Sequence, residues 1–199
     1  MNSDRIPALR RALEESPPTA EAHVRLGTAL LQAGSAREAE RELRKAIDLD
    51  PKCAGAWVNL GGILYSRWEF GAAVEANRRA AAADPTLALA HFNQAIGHLH
   101  LGEPEKVVEC LSRVIELEPQ NGAAYHHAAI ALYALGRPLE AQVCAAFASE
   151  LGYRPNRASA EALQRAAADA AAPASTKPES DSFTHNVQGE RNGTAQGQQ

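Results

Sequence analysis

Aromatic residues are scarce in this 199-residue chain. Phenylalanine, tryptophan and tyrosine together make up 5% of it, although 45% of its residues are hydrophobic. Alanine supplies much of the apolar content instead. It favours helix and lets helices approach closely, so an all-α fold is expected, with length enough for one sizeable domain. Cysteine is sparse too. Cys53, Cys110 and Cys144 are odd in number, widely spaced and without a CxxC, which reads as reduced thiols in a cytoplasmic protein rather than a disulfide framework or a zinc site. No apolar run is long enough to cross a membrane, and the opening MNSDRIPALRRALEESPP sets charges where a secretory signal needs its apolar core. A net charge of -4 carries no basic excess for nucleic acid. The basic runs RELRK (Arg41 to Lys45) and NRRA (Asn77 to Ala80) are interleaved with carboxylates, as on a solvated helix face.

The chemistry-bearing motifs are missing as well. There is no Gly-rich phosphate loop, no HExxH and no nucleophile elbow. Of the histidines, His91 and His98 are two turns apart, His126 and His127 are adjacent, and no pair has the i,i+4 spacing of a helical two-histidine metal site. Catalysis, metal and cofactor are therefore not expected.

What the chain has is a period of 34 residues. Pro17, Pro51, Pro85 and Pro119 are each 34 apart. Small residues keep the same register at Gly27, Gly61, Ala95 and Ala129, at Ala39, Ala73, Val107 and Ala141, and at Ala46, Ala80, Val114 and Ala148. A large planar side chain recurs at His23, Trp57, His91 and Tyr125. Small side chains at fixed places on two antiparallel helices let the backbones pack closely. Proline ends each unit because it cannot continue a helix and disfavours helix in the residue before it. Gly34, Gly102 and Gly136 fall after the first helix, where a left-handed C-cap is best filled by glycine. In the second repeat that slot holds Trp68, and Gly71 three residues later suggests a turn built differently there.

On the stretches HVRLGTALLQAGSAREAERELRKAIDLDP (His23 to Pro51) and WVNLGGILY with its following alanines and DP (Trp57 to Pro85), the chain resembles the tetratricopeptide repeat family. That resemblance implies a right-handed solenoid of four helix-turn-helix repeats, 20–53, 54–87, 88–121 and 122–155. Residues 1–19 would form an N-terminal half repeat, 156–172 a capping helix with Ser159 as its N-cap, and 173–199 a disordered tail poor in apolar surface. Asn77 and Gln94 depart from the family pattern at positions that are usually apolar, and are expected to loosen their hairpins.

In such an array the first helices line the concave side. Arg25, Asn59, Asn93 and His127, again 34 apart, form a polar column there. An amide both donates and accepts, so Asn59 and Asn93 suit a peptide backbone whatever the partner's side chains. This is similar to the asparagine ladder of peptide-binding members of the family; a solvated inner face would carry the same residue types. Val58, Tyr65, Phe92, Ile96, Ile130 and Tyr133 are expected to face the same groove. Trp68 either covers its own turn or stands as an aromatic contact at the groove edge. The clamp by which chaperone-adaptor members hold a C-terminal carboxylate is not matched: its positions here hold Val24, Thr28, Asn59, Leu89 and Asn93, with no cation. The expected function is a non-catalytic scaffold or adaptor that binds a peptide segment of a protein partner. A self-associating scaffold, or the targeting subunit of a separate enzyme, is the alternative.

Overall fold

A computed structural model describes residues 5–15 and 17–171; the tail expected over 173–199 lies outside them. The described residues form helices and turns throughout: α1 (Arg5–Glu15), α2 (Ala20–Gln32), α3 (Ala36–Leu49), α4 (Ala54–Ser66), α5 (Phe70–Ala83), α6 (Ala88–Leu101), α7 (Pro104–Leu117), α8 (Gly122–Ala134), α9 (Pro138–Glu150) and α10 (Arg157–Ala171). Each helix packs on the next as far as α9, so α2/α3, α4/α5, α6/α7 and α8/α9 are hairpins stacked in a solenoid.

The 34-residue columns explain the packing. Ala39, Ala73, Val107 and Ala141 are buried in their hairpins, as are Ala46, Ala80, Val114 and Ala148. The small residue facing them is required. A Cβ on Gly27 would stand 2.9 Å from Leu43 Cγ, inside van der Waals contact. In the second and third repeats the planar column ties the first helix to the proline that closes the previous unit. Trp57 Nε1 donates to the Pro51 carbonyl at 2.9 Å, and His91 Nε2 lies 3.2 Å from the Pro85 carbonyl. His23 instead pairs with Glu42 at 2.7 Å, and Tyr125 stacks on Phe147 at 5.5 Å.

All four inter-helix turns share one backbone. The left-handed residue is Gly34 (φ 78°), Trp68 (φ 64°), Gly102 (φ 70°) and Gly136 (φ 68°) in turn. The following amide reaches back to the preceding helix each time, Ser35 to Leu30 O at 2.8 Å, Glu69 to Leu64 O at 3.0 Å, Glu103 to His98 O at 3.0 Å and Arg137 to Leu132 O at 2.9 Å. This is Schellman closure. The turn at Trp68 is thus not built differently: Gly71 lies inside α5, facing open space, and the tryptophan itself adopts the glycine conformation.

At the C-terminal end α10 lies on α8, with Leu163 against Ala129, Leu132 and Ala141. Its N-cap is Asn156 rather than Ser159. The Asn156 side-chain oxygen accepts from the Ser159 amide at 2.9 Å, and its carbonyl from Ala160 at 2.9 Å. Ser159 is released for another use: its hydroxyl sits 2.8 Å from Nε2 of the buried His126.

Candidate functional site: a groove along the first helices

The polar column is present on α2, α4, α6 and α8, but its members differ in what already holds them. Arg25 is exposed and paired with Glu21 at 2.6 Å, one turn away on α2. Asn59 donates to Thr28 Oγ1 of α2 at 3.0 Å, and Asn93 donates to Asn77 Oδ1 of α5 at 3.3 Å. Each amide uses one proton in these bonds and keeps its carbonyl oxygen. The His127 imidazole is half-buried against Phe92, with its Nδ1 buried and without a partner. Burial, then the neighbouring His126, pulls its pKa down to about 4. It is therefore a neutral ring at pH 7.

Among the apolar residues, Tyr65, Phe92 and Ile96 converge with Gly61, Gly62, Asn77 and Asn93 on a hollow of about 200 Å³ between α4 and α6. Tyr133 is half-buried beside Ala129 and Leu132. Two expected groove residues are corrected. Val58 is buried among Ala80 and Ala90, with Trp57 and Leu87 around them, because one step along a helix turns a side chain about 100° away from Asn59 and toward the next repeat. Ile130 is buried too, on the helix that α10 covers.

Trp68 is 77% exposed, its ring edge-on to Phe70 at 5.8 Å. Phe70 stacks on His100 at 4.4 Å, and Tyr65 Oη meets His100 Nε2 at 2.7 Å. Tyr65 thus belongs both to the hollow and to an aromatic cluster that ends at Trp68 on the rim.

Asn77 and Gln94, the two departures from the apolar pattern, are linked across α5 and α6 by one side-chain-to-backbone bond. Asn77 Nδ2 donates to Ala73 O at 2.8 Å, and Gln94 Nε2 donates to Asn77 O and Ala90 O, both at 3.4 Å. Both residues are buried, and satisfied buried polar groups are not a liability. The 34-residue spacing marks one more departure in the second repeat. Gly62 shares its column with Thr28, Ile96 and Ile130, so the second repeat lacks a side chain that the others have.

A second feature missed in the sequence lies on the outer surface. Leu139, Val143 and Phe147 form an exposed i,i+4 stripe along α9. The equivalent positions are Arg37, Arg41 and Lys45, then Gly71, Glu75 and Arg79, then Glu105, Glu109 and Arg113, all charged except the glycine.

Nucleophilic chemistry finds little support. Burial pushes the Cys110 thiol up to about 11 and raises that of Cys144, the opposite of an activated thiolate. Among the described residues no group of three or more His, Cys, Asp or Glu is placed to hold a metal ion, and no helix is long and apolar enough to cross a membrane.

Stacked helical hairpins define the class of helical-repeat proteins. The tetratricopeptide repeat family model matches residues 24–88. A crystal structure of MamA superposes with a TM-score of 0.67 at 27% identity, covering 74% of this chain and 86% of that one. PilF of Pseudomonas aeruginosa gives a TM-score of 0.68 at 23% identity over 81% of this chain and 78% of its own. MamA from Desulfovibrio magneticus, from residue 41 to the end, gives 0.68 at 18% identity over 76% and 85%. No curated protein matches the chain by sequence. Residues 24–88 thus carry the tetratricopeptide repeat pattern, and the described residues share the stacked-hairpin fold of these solved structures.

Proposed function

We propose that the protein is a non-catalytic adaptor whose groove, along the first helices of the repeats 20–53, 54–87, 88–121 and 122–155, holds an extended peptide segment of a partner protein. The observation that carries this is the pairing of Asn59 and Asn93, each with hydrogen-bonding capacity left over, with the incompletely covered Tyr65, Phe92 and Ile96. Neighbouring helices lie about 8–10 Å apart and an extended chain advances about 3.3 Å per residue, so the two amides would meet a bound strand at roughly every third residue. Burying each large apolar side chain contributes about 1.5–3 kcal/mol, against about 0.5–1.5 kcal/mol for a net hydrogen bond. Affinity would come mainly from the apolar residues, and the amides would set direction and register. Arg25, His127 and Tyr133 flank this stretch, and Trp68 would meet the partner at the rim. Three unpaired, widely spaced cysteines support a cytoplasmic setting. Affinity capture from native extract tests the proposal: partners held by the wild type are lost from Asn59→Ala/Asn93→Ala, with circular dichroism confirming the fold.

Self-association is the second reading, favoured by the stripe on α9. Helix α10 packs on its own α8 and leaves the α9 stripe exposed. Two α9 helices packed antiparallel would set Val143 against Val143 and Leu139 against Phe147, a self-complementary twofold contact. Light scattering over a concentration series would then show a dimer that Leu139→Glu/Val143→Glu abolishes. A wild type that stays monomeric at the highest concentration rejects this reading.

A further inference from the structure

Resting on the groove as the binding surface, we propose that the hollow between α4 and α6 is a side-chain pocket for an aromatic residue of the partner that carries a hydrogen-bond donor on its ring edge, with tyrosine as the fitting case.

Two substitutions within the repeat create it. Gly62 leaves the space: a Cβ there would meet nothing within 4 Å, while Thr28, Ile96 and Ile130 fill the same position in the other repeats. Asn77 makes the floor polar. It is 1% exposed and stands where Leu43 and Leu111 give their repeats an apolar interior. The hollow is about 200 Å³, and a cavity of about 150 Å³ is enough to take a benzene ring. Tyr65 and Phe92 supply aromatic walls and Ile96 an aliphatic one, which suits a ring seated offset or edge-on.

The polar atoms then select among rings. Asn77 Nδ2 is held by Ala73 O, and Asn77 Oδ1 by Asn93 Nδ2. Neither bond uses the Asn93 carbonyl oxygen, which remains an acceptor at the wall of the hollow. A phenol O–H satisfies it; an unsubstituted phenyl ring buries it without a partner.

The test uses the full chain and p-cresol, the tyrosine side-chain analogue, with toluene as the matched ring lacking a donor. In ¹H–¹⁵N spectra p-cresol shifts the side-chain amides of Asn77 and Asn93 and the backbone amides of Gly61 and Gly62 saturably. Toluene binds roughly fivefold more weakly, the worth of one net hydrogen bond. Gly62→Ile restores the side chain that the third and fourth repeats carry, replaces a helix-weakening glycine and keeps the fold; with it the p-cresol response disappears. Absence of a saturable shift in the wild type, or an undiminished one in Gly62→Ile, overturns the pocket. Toluene binding as well as p-cresol overturns the donor requirement. If p-cresol fails while Asn59→Ala/Asn93→Ala still loses the partner, the pocket falls and the groove stands.

Discussion

In the first repeat Leu43 of α3 lies against Gly27 of α2; in the second, Asn77 of α5 lies against Gly61 of α4. A Cβ on either glycine would stand 2.9 Å from the partner's Cγ, so the two hairpins accept a branched side chain in the same place. What differs is the chemistry delivered there. Leu43 joins an apolar cluster with Leu26, Leu30 and Ile63. Asn77 joins a network with Asn93 and Gln94 and floors an open hollow. The second repeat departs at its turn and on its inner face as well, with Trp68 for glycine and Gly62 for a larger side chain. One backbone thus supports a dry, closed unit and a polar, open one, and the open one lies where the groove residues converge.

Exchanging the two fillings is the strongest way to break this comparison. Leu43→Asn puts an unpartnered amide into a fully buried apolar site and costs about 3 kcal/mol or more. Asn77→Leu is a near-isosteric change into a slot already shaped for leucine, and shifts stability by less than about 1 kcal/mol. Denaturant unfolding of both variants decides it. Equal losses would mean that the amide network holds the second and third repeats together as firmly as the apolar cluster holds the first.

The turn offers a smaller effect of opposite sign. A non-glycine residue in the left-handed region is strained by about 1–2 kcal/mol, and the Trp68 ring is mostly in solvent, with little packing to offset that strain. Trp68→Gly therefore raises thermal stability by about 1 kcal/mol, read as an upward shift of the melting midpoint. A lowered midpoint would show that the contact with Phe70 outweighs the backbone strain. Partner affinity of the same variant separates a turn residue from a contact at the rim.

The architecture was legible in the sequence because each 34-residue column reflects a packing necessity: glycine where φ is positive at 34, 102 and 136, alanine where backbones approach, proline where a unit ends. The site was only partly legible. A column fixes a position along the helix, not what lies across from it: Val58 sits beside Asn59 on α4, yet its neighbour across the helix pair is Ala90. Asn77 and Gln94 stood out as exceptions, but their contact joins residues 17 apart on different helices, and neither reveals the other. The seat of α10, and with it the meeting of Ser159 and His126, depends on how the chain leaves the last repeat after Tyr153, where the proline of the earlier units is missing. The α9 stripe was readable from the same columns, as apolar residues at positions otherwise charged.

The groove and the α9 stripe are the two surfaces proposed for binding. Partner capture with wild type, Asn59→Ala/Asn93→Ala and Leu139→Glu/Val143→Glu, each shown to be folded, tests them side by side. The account predicts that the groove variant loses the partner and the stripe variant retains it; a partner retained by the groove variant and lost from the stripe variant would contradict it.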